Sequence, residues 1–294
     1  MRKNLITFMV CLIILMNVAS ADLIRGIDID FVTIGNAGNP GDTRIDYPDS
    51  AEPYGCGAVD YIYKIGKFEI TNGQWDAFVS AAGTPTGNPS TAYDESSHWT
   101  GTDVPTTMSW YEAAQFCNYL TSGDKSQGAY LFSGNNNNPG DFLGIDRDTA
   151  ISAYDIIYVI PTEDEWYKAA YYTGSGYSTY ANGTNDAPIE DVDSNFDYES
   201  GCQPWTVGTG TMEQNGTFDM MGNVYEWNEA TYGGDRGHRG SSYNNNENYL
   251  RSSTRDNTYP YNEAPILGFR VASIPEPSTL LLLGLGAVML RRKR

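Results

Sequence analysis

Histidine, cysteine and basic side chains are scarce in this chain, and each shortage removes a class of chemistry. Only two of the 294 residues are histidine, His98 and His238. Two cannot assemble a three-histidine iron site. A triad hydrolase needs a positioned base, and no G-x-S-x-G elbow precedes a helix. Walker and dinucleotide glycine patterns are absent too. The four cysteines, Cys11, Cys56, Cys117 and Cys202, show no CxxC spacing, which argues against a zinc site. Cys117 falls on the apolar face of an expected helix and reads as a buried thiol. Cys56 and Cys202 lie in loops rich in Gly and Pro, where an oxidising compartment would let them pair as a disulfide. Basic residues number 18 against 37 acidic ones. An acidic surface repels nucleic acid phosphate and anionic membranes, so no nucleic acid partner is expected. It suits a soluble exported protein and attracts cations such as calcium.

Apolar runs are confined to the two ends. Residues 1–21 begin with Arg2 and Lys3, continue with the apolar stretch Leu5–Val18 and close on Ala19-Ser20-Ala21. A basic start, an apolar core and a small-x-small end describe a secretory signal peptide, cleaved after Ala21. At the other end Pro275-Glu276-Pro277 precedes an apolar stretch, Ser278–Leu290, and the basic cluster Arg291–Arg294. The apolar stretch is short for a permanent span and suits a transient anchor, with the basic end held in the cytoplasm. Six of the 18 basic residues belong to these ends, so 12 remain against the 37 acids.

This three-part tail, 274–294, resembles the PEP-CTERM sorting signal of Gram-negative bacteria. The resemblance implies processing by an exosortase, removal of the tail, and delivery to the cell surface or extracellular matrix. The membrane would be met only transiently. No linker divides residues 22–273, which are expected to form one domain.

Three helix starts share one grammar. Thr71 is followed by Gln74, Ser109 by Glu112 and Thr162 by Glu165. Each pair is a capping box, in which the hydroxyl and the later Glu or Gln satisfy free backbone N–H groups reciprocally. Apolar residues follow at helical spacing, as in Trp75, Phe78, Val79 and Ala82. Glu163, Asp164 and Glu165 are better explained as acids at a helix N-terminus than as catalytic carboxylates. Tyr61–Ile70 and Ile156–Ile160 are the better strand candidates. The rest is Gly-, Asn-, Asp-, Pro- and Tyr-rich. An irregular α+β domain with little secondary structure is expected.

Five segments then occur in order: "YKIGKFEITNGQWDAFV" (63–79), "VPTTMSWYEAAQFCNYL" (104–120), "IPTEDEWYKAAYY" (160–172), "GTFDMMGNVYEWNEA" (216–230) and "LGFRVAS" (267–273). Together they resemble the formylglycine-generating enzyme family, the sulfatase-modifying factors. The resemblance implies a variant of the C-type lectin fold. It also implies an oxidase that converts a substrate cysteine to formylglycine, using two cysteines that hold copper. Here Asn245 and Leu250 stand at the matching positions. An amide and an alkyl group cannot replace soft sulfur ligands for Cu(I), so copper is not expected and the chain is expected to lack the oxidase chemistry. The family's calcium-binding turn matches "GNVYEW". Asn223 and Glu226 have the ligand types, and hard oxygens suit calcium. The alternatives are a tight-turn residue for Asn223 and an arginine partner for Glu226, with Arg270 available.

The region that lost its thiols is rich in amides and rings. Ser242, Tyr243, Asn245, Asn246, Glu247, Tyr249 and Arg251 are expected to form a ligand-binding loop for a glycan or peptide. The segment is also similar to the variable Asn/Tyr-rich loops that diversity-generating retroelement proteins display on this fold. The other readings are a working oxidase, a structural component of the extracellular matrix, and a solvated loop with no ligand.

Overall fold

The computed structural model describes residues 20–44, 55–94, 97–197 and 201–275. The expected signal peptide up to residue 19 and the tail beyond Pro275 lie outside the described residues. Among the described residues no helix is long and apolar enough to cross a membrane.

The local grammar of the helices is realised. Helix α1 (Asn72–Ala82), α2 (Trp110–Ser122) and α4 (Glu163–Tyr171) each begin with the complete reciprocal cap, from Thr71, Ser109 and Thr162. A short helix, α3 (Arg147–Ala153), was not expected and starts on the Asp146 side chain. Strands β1 (Ser20–Ile24), β2 (Ile27–Ile34), β3 (Tyr63–Gly66), β6 (Ile156–Val159) and β11 (Ala272–Pro275) form one sheet in the order β1-β2-β3-β11-β6. The expected cleavage point after Ala21 falls within β1. The strand expected over Tyr61–Ile70 shortens to four residues. Beyond Gly66 the chain leaves the ladder, and Lys67 and Ile70 donate instead to Asp30 and Phe269 carbonyls. Strands β4 (Tyr130–Phe132) and β5 (Phe142–Ile145) make a hairpin, and β7 (Tyr225–Tyr232), β8 (Asp235–Arg239), β9 (Asp256–Thr258) and β10 (Leu267–Gly268) a second sheet.

Aromatic rings fill the space between these elements. Trp110, Trp166 and Trp227 are wholly buried. Their ring N–H groups donate to Asn228 O, Glu226 Oε2 and Met108 O, as a buried indole requires. Trp75 stacks on Phe116, and both meet Phe269 edge-on. Cys117 is buried in this core, as its place on the helix suggested.

The acids at the start of α4 do more than complement the helix dipole. Glu165 pairs with Arg147 at 2.8 Å, and Glu163 pairs with Arg239 and Arg255. Asp164 accepts from Gly57 N. These partners come from segments outside the helix, so no local pattern announces them.

Candidate ligand-binding surface

Asn223 is the knot on which the site is built. Gly222 and Asn223 both have positive φ, 79° and 57°. A Cβ at Gly222 would lie 2.2 Å from Asn195 O, so only glycine fits. Asparagine tolerates the left-handed region better than other residues with a side chain. Held there, Asn223 Oδ1 accepts from Trp205 N at 2.7 Å and from Asn195 Nδ2 at 3.3 Å. Its Nδ2 donates to Glu69 Oε1 at 2.9 Å, and its carbonyl accepts from Tyr243 N at 2.9 Å. One residue thus joins the loop carrying Trp205, the loop carrying Tyr243 and the acid Glu69.

Glu226, three residues on, is wholly buried. Its carboxylate takes both a bidentate contact from Arg270 and the Trp166 ring N–H. Burial of an ionised group demands such a partner. The calcium expectation meets this geometry badly. Both Glu226 oxygens and the Asn223 Oδ1 already accept hydrogen bonds from protein donors, and Arg270 brings a positive charge to the place a cation would occupy. As they stand, these two side chains do not fit a calcium ion. Among the described residues no group of three or more His, Cys, Asp or Glu is arranged to hold a metal.

Further acids crowd this base. Asp219 accepts from Gly208 N at 2.6 Å, and burial pushes its carboxyl up to about 6. Glu213 is raised to about 8, chiefly by burial. Glu69 is raised well above the ordinary value, first by burial and then by Asp219 and Glu226.

The loop itself divides into anchor and display. Ser242 and Tyr243, both expected to take part in ligand binding, are buried. Ser242 Oγ lies 2.7 Å from both Asn244 Oδ1 and Asn245 Oδ1. The Tyr243 ring meets Trp99 edge-on, with centroids 5.7 Å apart. Leu250 is fully buried, and its carbonyl accepts from Tyr171 OH. Between these anchors a 3-10 turn, Glu247–Leu250, starts on the Asn246 side chain. Asn246, Glu247, Asn248 and Tyr249 are exposed, while Asn245 and Arg251 are half-buried. Arg251 Nε donates to Tyr180 OH at 3.1 Å. Asn245 is tied by its carbonyl to Asp197 N.

Two tryptophans missed at the sequence level flank this loop. Trp99 and Trp205 are half-exposed and line one groove of about 360 Å³ with Val104, Gln203, Pro204 and Thr206. Trp99 also borders a cavity of about 560 Å³ with Asn72, Trp75, Asp76 and Glu112. Tryptophans in aperiodic Thr-, Gly- and Pro-rich stretches, "HWTGTD" and "QPWTVG", were the available signal. The disulfide expectation is corrected. Cys56 is a free thiol, buried beside the guanidinium groups of Arg239 and Arg255, while Cys202 is exposed.

Comparison with known proteins agrees with this architecture. Residues 43–274 match the sulfatase-modifying factor enzyme 1-like domain. The chain belongs to the sulfatase-modifying factor family. The match covers most of the chain, and residues 273–294 match the PEP-CTERM protein-sorting motif, the signal for exosortase processing of an exported, surface-sorted protein. No curated protein sequence matches. Among the solved structures that share the fold are three that lie below 25% identity. Treponema denticola variable protein 1 is 20% identical, with a TM-score of 0.63 over 89% of this chain and 100% of that one. PvdO from Pseudomonas aeruginosa is 17% identical, with a TM-score of 0.60 over 84% and 94%. CarF is 23% identical, with a TM-score of 0.57 over 83% and 97%. The fold is thus the formylglycine-generating-enzyme-like variant of the C-type lectin fold.

Proposed function

We propose that this sulfatase-modifying factor domain is a binding protein without formylglycine oxidase activity, sorted to the surface of a Gram-negative cell or its matrix. The observation that carries this reading is Leu250. The position that matches a copper-binding cysteine holds an alkyl side chain buried in the core, and Asn245 at the other position is an amide. Neither is a thiolate, so the soft ligands for Cu(I) are missing. What remains is a rigid base with a displayed turn. Amides of Asn246 and Asn248 offer paired donors and acceptors, and Tyr249, Trp99 and Trp205 offer stacking faces. That chemistry suits a glycan or a peptide. Individual hydrogen bonds are worth about 1 kcal/mol net, so binding needs several at once.

The test has two arms. The purified domain is incubated with copper, oxygen and a sulfatase-motif peptide, and the cysteine mass is followed. Turnover above a no-protein control would end the non-catalytic reading. Separately, the domain is screened on glycan and peptide arrays, with Trp205→Ala and Tyr249→Ala in parallel. Loss of signal in the variants supports the surface. Array binding that neither variant reduces moves the site elsewhere, and no binding at all favours a structural matrix role.

A further inference from the structure

The sorting motif begins inside the fold. Its match starts at Ser273, yet Ser273, Ile274 and Pro275 are also the last three residues of β11. That strand is an inner one, between β3 and β6, and Ile274 is buried opposite Ile157. Only Glu276 and Pro277 separate Pro275 from the apolar run that starts at Ser278. Fully extended, that connection reaches about 10 Å. A folded chain of about 250 residues has a radius of gyration of about 18 Å. The tether is shorter than the domain's own radius, so a tail inserted in a bilayer holds the exit end of β11 within about 10 Å of the membrane and turned towards it.

The surface around the exit suits that contact. Pro275 pairs with Ile156 at the open end of β6. On the other side Ser273 pairs with Lys64, and the same antiparallel register carries on towards Ile62, just ahead of β3. Ile156 is 44% exposed and Ile62 is 39% exposed, so two large apolar side chains bracket the strand from which the tail departs. The neighbouring Asp60 and Asp155 are exposed acids, which match neutral lipid better than anionic lipid. The candidate loop is tied to the other end of β11, through Arg270, Glu226 and Asn223.

We propose that, before processing, the domain rests this sheet end, marked by Ile62, Pro275 and Ile156, on the membrane surface. The loop Asn246–Tyr249 then faces away from the bilayer. The proposal rests on the reading that Ser278–Leu290 enters the membrane. It also places tail removal on the C-terminal side of Pro275, because a cut further in would take rungs from an inner strand.

The test uses the chain freed of its signal peptide and carried through Arg294, in phosphatidylcholine vesicles containing a doxyl-lipid quencher. Cys202→Ser removes the exposed thiol, and a fluorophore is placed at Ile156→Cys, at Ile62→Cys or at Tyr249→Cys. Flotation reports insertion of the tail. Fluorescence loss is expected at positions 156 and 62 and not at 249. A flexible linker of about 12 residues between Pro277 and Ser278, which spans about 20 Å as a coil, should abolish that loss. Flotation without quenching at 156 and 62, or quenching as strong at 249, overturns the proposal while leaving the anchor intact. A chain that does not float overturns the anchor and the proposal together.

Discussion

Arg270 and Glu226 form a fully buried, bidentate ion pair that joins the start of the second sheet to the approach of the last strand of the first. Arg270 also donates to the carbonyls of Gly66 and Phe218, so five separate contacts converge on one guanidinium with its neighbour Lys67 O. The candidate surface stands on this joint. Removing one member leaves the other as an uncompensated buried charge. Arg270→Leu is expected to cost about 3–5 kcal/mol in denaturant unfolding. A loss below 1 kcal/mol would show that the joint is not what holds the two sheets.

The same geometry sets an expectation for calcium. A ligand bound only to the folded state raises its melting temperature. Because Asn223 and Glu226 are already satisfied within the protein, calcium and chelator should give the same melting curve. A rise in melting temperature with calcium that Glu226→Gln removes would restore the pair as ligands.

Anchor and display residues of the loop should separate cleanly. Tyr243 is buried against Trp99, so Tyr243→Ala is expected to destabilise by about 3 kcal/mol. Tyr249 is 46% exposed, and Tyr249→Ala should stay within about 0.5 kcal/mol. Equal losses would mean the turn is part of the core rather than a display.

Stability should fall as the medium becomes alkaline. Burial raises the Glu213 carboxyl from an ordinary 4.5 to about 8, so the native state keeps a proton that the unfolded chain releases. Its contribution is complete below the ordinary value and is lost as pH rises towards about 8. Asp219, raised to about 6, acts in the same direction over a narrower window. The melting temperature should therefore be higher near pH 5 than near pH 8. Glu213→Gln, which can still accept from Thr217 Oγ1, should shrink that difference. An unchanged difference in the variant would remove Glu213 from the account.

Thiol chemistry checks the corrected cysteine assignment. One thiol per described chain, Cys202, should react with a thiol reagent under native conditions. Cys56 is buried and raised to about 11 by that burial, and Cys117 lies in the core, so both should react only after unfolding. Protection of Cys202 that a reductant relieves would reinstate a disulfide.

Features that are local, or that lie in the order of the segments, could be read from the residues alone. The three capping boxes were legible because each closes within three residues, Thr71 to Gln74, Ser109 to Glu112 and Thr162 to Glu165. The absence of thiols at Asn245 and Leu250 was equally plain, and so was Arg270 as a partner for Glu226. Features that depend on distant neighbours emerged only from the folded chain. It buried Tyr243 under Trp99, chosen from 144 residues away, and left Tyr249 in solvent six residues later. It placed Cys56 beside Arg239 instead of Cys202. It gave both Asn223 and Glu226 protein donors, where residue type alone allowed a calcium ion. Side-chain chemistry lists the partners a residue can accept, but only packing brings one of them within hydrogen-bonding distance and excludes the others.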